Sequence, residues 1–268
     1  MAQAVEYFSI FGGLDLAIDL TQSLENQIQK YILDDYRALR NTISDFTDGD
    51  VQMHALLSGI ALGDRKSSSA FKRAKLSFNA GVTCVDILRQ RGVLSLESSY
   101  HHLKRSKNYE DIADKLQFSA PFLRFWFAFV SPLFQGIKAG NYEEFFTNFH
   151  NKIADFHALT FEQLCHEFVK KTIEEDRVYE LGRYWDSYEQ IDLLGKTRSG
   201  KIIAGVCKFT KAKVKTSELT KLQATCKALD LDVGMFLVFA KNGFSAELKS
   251  LKNEQVKLFT SKHLKVLC

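Results

Sequence analysis

The sequence has little proline and little cysteine. Its 268 residues include only 2 prolines, which favours long helices because a proline inside a helix removes a hydrogen bond. The 5 cysteines are widely spaced and include no C-x-x-C pair. This spacing predicts neither a disulfide framework nor a zinc site, and it favours a reducing, cytoplasmic location.

Long hydrophobic runs are also missing. Glu6 interrupts the first apolar stretch, so we expect no secretory signal peptide. The most hydrophobic segment, residues 120–137, contains Arg124 and both prolines and is too short to cross a bilayer. We therefore expect no membrane association. Residues 120–150 hold 8 of the 22 phenylalanines, which we interpret as core packing rather than as a surface for base stacking.

Charge is distributed in blocks along the chain. Residues 1–50 contain 3 basic and 9 acidic residues, whereas residues 201–268 contain 13 and 5. Such asymmetry is compatible with a polyanionic partner for the basic blocks, although solvated lysine faces are the more ordinary explanation. With 46% hydrophobic and 25% charged residues, the overall composition is that of a globular protein.

The pattern of residues 1–150 predicts a helical domain that contains a winged helix-turn-helix. A helical stripe covers residues 23–46 and precedes it. The polar stretch between the two predicted wing strands would form a long wing tip. Three short helices and two strands make up the predicted winged helix: helices over residues 51–63, from Ser67 and from Asn79, and strands over residues 93–97 and 116–120.

This winged helix is a candidate DNA-binding element. The helix after Asn79 would read the DNA, with Val82, Val85 and Leu88 facing the core. Winged helices also serve as protein–protein spacers, and Asp86 on the reading face favours that alternative. The residues predicted to contact DNA form three sets. The reading helix offers Thr83, Arg89, Gln90 and Arg91; phosphates would be contacted by Lys72, Arg73 and Lys75; and the minor groove would be contacted from the wing by Lys104, Arg105 and Lys107.

The hydrophobic period switches from 3.6 to 2 within residues 151–268, which predicts a second, α/β domain. Apolar spacing predicts a helix over residues 161–169. Strand patterns then fill residues 177–209, where we expect three antiparallel strands. A helix, a strand, a further helix and a final strand complete the order. The expected fold class is therefore α/β of mixed α+β character, with domains at residues 1–150 and 151–268.

Glu162, Asp192 and Lys208 form the constellation with the clearest chemistry. Asp192 lies in a strand of Ile and Leu, so its carboxylate needs a partner or a metal. An antiparallel hairpin can bring Lys208 to Asp192, and the preceding helix can lay Glu162 above both. Two carboxylates and a lysine suit phosphodiester hydrolysis, in which Mg²⁺ activates water. An Asp192–Lys208 ion pair that only fixes the hairpin is the alternative, and the residues alone favour it.

The runs G-R-Y-W-D, E-Q-I-D-L-L and I-I-A-G-V-C-K-F resemble the restriction-endonuclease-like domain of the PD-(D/E)XK nuclease superfamily. The resemblance is closest to the domain that ends archaeal-type AAA+ ATPases. It extends upstream, where the winged helix and A-P-F-L-R-F-W-F-A-F-V-S-P look like the middle of those proteins. Residues 11–33 look like the tail of their ATPase lid. The chain thus resembles such an ATPase without its ATPase core.

Two departures from that family pattern matter. The chain has no phosphate-binding loop, so the resemblance implies no use of ATP. Val206 stands where the family has a metal-binding glutamate. By resemblance, Asp192 and Lys208 match the motif and Glu162 supplies the helix carboxylate. Glu218, on the helix after the lysine strand, is the candidate to replace the missing ligand, so Asp192, Glu162 and Glu218 would hold Mg²⁺.

We therefore expect a cytoplasmic DNA-binding protein of nuclease-like fold. Its Mg²⁺-dependent nuclease activity would be weak or absent because one acidic ligand is missing. The alternative is a protein-interaction module, the remnant of a split AAA+ ATPase, which binds a protein partner or forms a homodimer and has no nucleic-acid activity.

Overall fold

The computed structural model describes residues 1–100, 112–173 and 176–268. The chain divides into two compact units. The helical unit comprises residues 3–97 and 113–156, and the sheet unit comprises residues 1–2, 98–112 and 157–268. Together they form a mixed α+β protein, as the sequence predicts. No helix in the described ranges is long and apolar enough to span a membrane.

The helical unit contains nine α-helices in its described part and a small sheet. Strands β1 (Leu94–Glu97) and β2 (Lys115–Phe118) pair antiparallel. Helices α4, α5 and α6 precede this pair, which is the element order predicted for a winged helix. The helices are α1 Ala2–Phe11, α2 Leu24–Ile28, α3 Tyr36–Thr47, α4 Val51–Ala61, α5 Ser67–Arg73, α6 Phe78–Gln90, α7 Pro121–Phe125, α8 Phe134–Lys138 and the start of α9, Glu143–Thr172.

The single helix predicted over residues 23–46 is interrupted. A π-helical turn, Gln29–Leu33, follows α2, and Asp35 leaves helical geometry before α3 begins. A π turn holds one more residue than an α turn and so rotates the chain that follows. Tyr36 is thereby buried and stacks on Trp126 with ring centroids 5.6 Å apart.

Helix α6 begins earlier than predicted, and its inward face also differs from the predicted one. Ser77, not Asn79, is the N-cap, and its hydroxyl accepts a hydrogen bond from the amide of Ala80 at 3.3 Å. Gly81 faces the core because a Cβ there would lie 2.4 Å from the ring of Phe71. Val82, predicted to face the core, is therefore turned outward and is 38% exposed, whereas Val85 and Leu88 are buried as predicted.

The core of the helical unit is a cluster of phenylalanine rings. Phe125, Phe129, Phe149 and Phe156 are buried, and the ring of Phe129 lies 5.2 Å from that of Phe156 and 5.6 Å from that of Phe149. Arg124 lies over the ring of Phe156, 4.0 Å from its centroid. The interpretation of this aromatic segment as core is confirmed.

The sheet unit has a five-stranded mixed sheet in its described part. The order is β3-β4-β5-β6-β7, with β3, β4 and β5 antiparallel and β5, β6 and β7 parallel. The prediction of three antiparallel strands within residues 177–209 is confirmed. The strands are β3 Val178–Trp185, β4 Gln190–Thr197, β5 Ile202–Lys208, β6 Val233–Ala240 and β7 Val256–Thr260, with helices α10 Thr216–Ala228 and α11 Ala246–Ser250.

The stretch predicted as a wing tip begins beside β3 instead. The amide of Tyr100 donates to the carbonyl of Arg183 at 2.8 Å, and the hydroxyl of Ser99 donates to the carbonyl of Trp185 at 2.6 Å. These bonds satisfy main-chain groups that the strand ladder leaves open. The predicted wing residues Lys104, Arg105 and Lys107 lie outside the described residues.

Candidate functional site

A pocket on the α10 side of the sheet collects most of the residues predicted for catalysis. Its volume is 270 Å³. It lies between β4, β5 and α10, so that residues distant in sequence share one concave surface. The lining comprises Gln190, Ile191, Asp192, Gly205, Val206, Lys208, Glu218, Lys221, Leu222 and Thr225.

An irregularity in the strand pairing places Asp192 at this pocket. Ile191 pairs with Tyr184, and Leu194 pairs with Gly182, so three steps along β4 match two along β3. The extra residue is a β-bulge, which re-aims side chains and is common beside active sites. The carboxylate of Asp192 accepts a hydrogen bond from the amide of Cys207 at 2.9 Å. The sequence analysis predicts that the buried carboxylate of Asp192 needs a partner or a metal, and the amide of Cys207 is such a partner.

Lys208 pairs with Glu218 rather than with Asp192. Lys208 ends β5, and its ammonium nitrogen lies 3.0 Å from a carboxylate oxygen of Glu218. Glu218 lies in the first turn of α10, where the helix dipole favours an acidic residue. The two side chains are 36% and 34% exposed, so about one third of the pair is open to solvent. The alternative interpretation, an Asp192–Lys208 ion pair, is therefore wrong, because Lys208 pairs with Glu218 instead.

Val206 lies on the same face of β5 as Lys208, because alternate residues of a strand share a face. It is 8% exposed and packs in the hydrophobic cluster between α10 and the sheet. Among the described residues, no group of three or more His, Cys, Asp or Glu side chains is arranged to hold a metal ion. Mg²⁺ can be held by one or two carboxylates together with substrate phosphates, and Asp192 and Glu218 are the two that line this pocket.

Glu162 is not among the residues that line the pocket. Its carboxylate accepts a hydrogen bond from the guanidinium of Arg183 in β3. Tyr184 belongs to the cluster under α10, so strand alternation places Arg183 on the other face, under α9. The expectation that Glu162 lies above Asp192 and Lys208 is corrected, because the helix that carries it packs on the opposite side of the sheet.

Two thiols lie in the same buried layer as Glu162. Cys165 of α9 and Cys207 of β5 share a side-chain hydrogen bond, and burial raises the pKa of both thiols. Nearby carboxylates act in the same direction, because a negative charge disfavours a thiolate. The raised pKa values keep these thiols protonated, so neither is poised to act as a nucleophile.

The predicted DNA-contact residues of the helical unit fall into two groups. Arg73 donates to the carbonyl of Gly59 at 3.0 Å, and Arg91 donates to the carbonyl of Phe46 at 2.9 Å and pairs with Asp48. These guanidinium groups are already engaged within the unit, as is that of Arg89, which lies 3.5 Å from Asp86. The remaining described residues of the set are exposed on its surface: Lys72, Lys75, Thr83 and Gln90.

The outer face of α6 also carries apolar side chains that the sequence analysis placed elsewhere or missed. Phe78 is 71% exposed and Val82 is 38% exposed. Phe78 is the first residue of the helix, and Val82 lies about one turn later on the same face. That face points outward because Gly81, Cys84, Val85 and Leu88 occupy the buried face. Asp86 follows on the same face, four residues after Val82, where it lies 3.5 Å from Arg89.

The two units define a mixed α+β protein, in which one unit has the element order of a winged helix and the other holds a carboxylate–lysine pocket. Residues 126–221 of the chain are similar to a family described as archaea bacterial proteins of unknown function, DUF234. This range contains Asp192, Val206, Lys208 and Glu218, so the similarity includes the charged residues of the pocket. No curated protein and no solved structure matches the chain.

Proposed function

We propose that the protein binds duplex DNA and that its sheet unit is a nuclease-like fold with weak or absent Mg²⁺-dependent cleavage. The observation that carries the proposal is the convergence of Asp192, Lys208 and Glu218 on one pocket, with Val206 beside them. The resemblance to the restriction-endonuclease-like domain of AAA+ ATPases supports it, since the motif residues Asp192 and Lys208 fall together there.

The pocket chemistry accounts for weak cleavage. Hydrolysis of a phosphodiester with metal assistance needs a cation that activates water and neutralises developing charge. Asp192 and Glu218 would hold that cation. Lys208 already neutralises one of these carboxylates, and Val206 supplies no oxygen. Cation binding is therefore weak, and hydrolysis of plain duplex DNA is slow.

A gain-of-function variant tests the pocket. Val206→Glu adds a carboxylate beside Asp192, so we expect it to raise Mg²⁺ affinity at least tenfold in a calorimetric titration. Val206→Gln has nearly the same size without the charge and is the matched control, which should leave affinity near that of the unmodified protein. Robust Mg²⁺-dependent cleavage by the unmodified protein, abolished by Asp192→Ala, would contradict weak or absent cleavage.

The exposed lysines of α5 and its C-terminal turn support DNA binding by the helical unit. We expect the double variant Lys72→Ala, Lys75→Ala to flatten the dependence of log affinity on log salt concentration by about two units, roughly one per lost phosphate contact. Lys138→Ala with Lys152→Ala removes two exposed lysines of the same unit elsewhere and is the control. Equal slopes for the two double variants would remove this surface from the proposal.

The alternative function is a protein-interaction module derived from a split ATPase. The exposed Phe78 and Val82, with Asp86 beyond them, favour it, because apolar and acidic groups suit a protein surface better than a phosphate backbone. Under this alternative the protein has no affinity for duplex DNA at low salt. If the partner is a second copy, Phe78→Asp would convert a dimer to a monomer in analytical ultracentrifugation.

A further inference from the structure

The α10 pocket contains four charged side chains, and they differ in whether they have a partner. Asp192 accepts the amide of Cys207, and Lys208 lies 3.0 Å from Glu218. Lys221 lines the same pocket one helical turn after Glu218 and, within the part of the chain that the structure describes, makes no ion pair. The pocket therefore contains two ammonium groups, of which one already holds an anionic oxygen.

The position of Glu218 suits an exchangeable anion. A glutamate oxygen beside Lys208 occupies the place that a phosphate oxygen would take, because both bind an ammonium group at about 3 Å. The pair is one-third exposed on each side, and exposed ion pairs are weak. The Glu218 side chain can thus leave Lys208 at small cost when a stronger anion arrives.

We propose that Glu218 is an internal competitor of the DNA phosphate for Lys208. Lys208 contacts a phosphodiester only after Glu218 has turned away, while Lys221 is available throughout. This inference rests on the proposed function, because it concerns the same pocket and the same DNA. A divalent cation that draws Glu218 toward Asp192 would release Lys208, so cation and DNA would each strengthen the binding of the other.

The test compares duplex affinities of charge-matched variants of the full chain. A fluorescein-labelled duplex is titrated in EDTA and followed by fluorescence anisotropy. We expect Glu218→Gln to bind about fivefold more tightly than the unmodified protein and to steepen the salt dependence by about one unit, because Lys208 becomes available to a phosphate. Glu254→Gln, which removes an exposed charge from the same unit, is the control and should change affinity less.

A double-mutant cycle shows whether the gain acts through Lys208. Lys208→Met should weaken DNA binding less in the unmodified protein than in the Glu218→Gln background, since Glu218 already occupies that lysine. In the Glu218→Gln background, Lys208→Met should abolish the fivefold gain. Glu218→Ala provides a second variant with the same expected direction, and thermal unfolding checks that each protein is folded.

The outcomes separate this inference from the proposed function. A gain specific to the Glu218 variants and dependent on Lys208 supports the inference. If the unmodified protein binds duplex and Glu218→Gln behaves like Glu254→Gln, the competitor role is overturned and the proposed function stands. If none of the folded proteins binds duplex in low salt, the proposed function fails, and the inference fails with it.

Discussion

The two units hold their charged candidate residues differently. In the helical unit, whose core is rich in phenylalanine, the candidate DNA-binding lysines are separate side chains on the surface. The sheet unit also packs phenylalanine rings, since Phe168 of α9 contacts Phe239 and Phe259. Its candidate site, however, is a pocket of interacting charges, and an ion pair between Glu162 and Arg183 is buried under α9.

This difference decides whether the effects of substitutions should add in each unit. Surface lysines such as Lys72 and Lys75 contact solvent independently, so their effects on DNA binding should add. Lys208 and Glu218 share a bond, so substitutions there should not add. The helical unit is therefore best tested by summing the effects of single variants, and the pocket of the sheet unit by double-mutant cycles.

The largest expected effect is a loss of stability when a ring is removed from the aromatic core of the helical unit. Phe129 is fully buried, so Phe129→Ala should lower the free energy of unfolding by about 4 kcal/mol through lost burial and a cavity. Phe134, on α8, is 43% exposed, and Phe134→Ala should cost less than about 1 kcal/mol. Urea unfolding measures both, and equal losses would contradict the assignment of the core.

The next effect tests the buried ion pair of the sheet unit. The Arg183 side chain is 4% exposed and that of Glu162 is 15% exposed, so Glu162→Ala should cost about 3 kcal/mol by leaving a buried charge. Glu167→Ala on the same helix breaks an exposed pair with Lys170 and should cost about 0.3 kcal/mol. Because Glu162 lies away from the pocket, Mg²⁺ affinity should not change; a large loss of affinity would restore it as a metal ligand.

The smallest effect is a pH dependence in the helical unit. Burial lowers the pKa of His54, whose ring is hydrogen-bonded to the hydroxyl of Thr47 at 2.8 Å. The unfolded chain then binds a proton more readily than the folded one, so stability should fall as the pH drops below about 6.5. His54→Gln should show a smaller fall in thermal midpoint between about pH 7.5 and pH 5.5. Identical falls would assign the effect to other groups.

Strand alternation made much of the sheet unit predictable. The pattern of β5 placed Val206 and Lys208 on one face, and β3, β4 and β5 all lie within the predicted range 177–209. The bulge at Asp192 was not predictable, since it depends on pairing with β3. The side of the sheet on which α9 packs also depends on tertiary contacts, so the local sequence pattern could not place Glu162 correctly. In the helical unit, the packing of Gly81 against Phe71 turns Val82 outward, and the apolar pattern of α6 alone did not indicate this contact.

The π-helical turn Trp126–Val130 has a consequence for comparing this chain with others. Its five residues are buried, so the extra residue that it accommodates is fixed in place by packing. A related sequence with an ordinary α-helix at this point is one residue shorter there. Such a sequence aligns correctly with this chain only when a single-residue gap is opened inside the turn, and without that gap every downstream position, Asp192 and Lys208 included, would be matched to its neighbour.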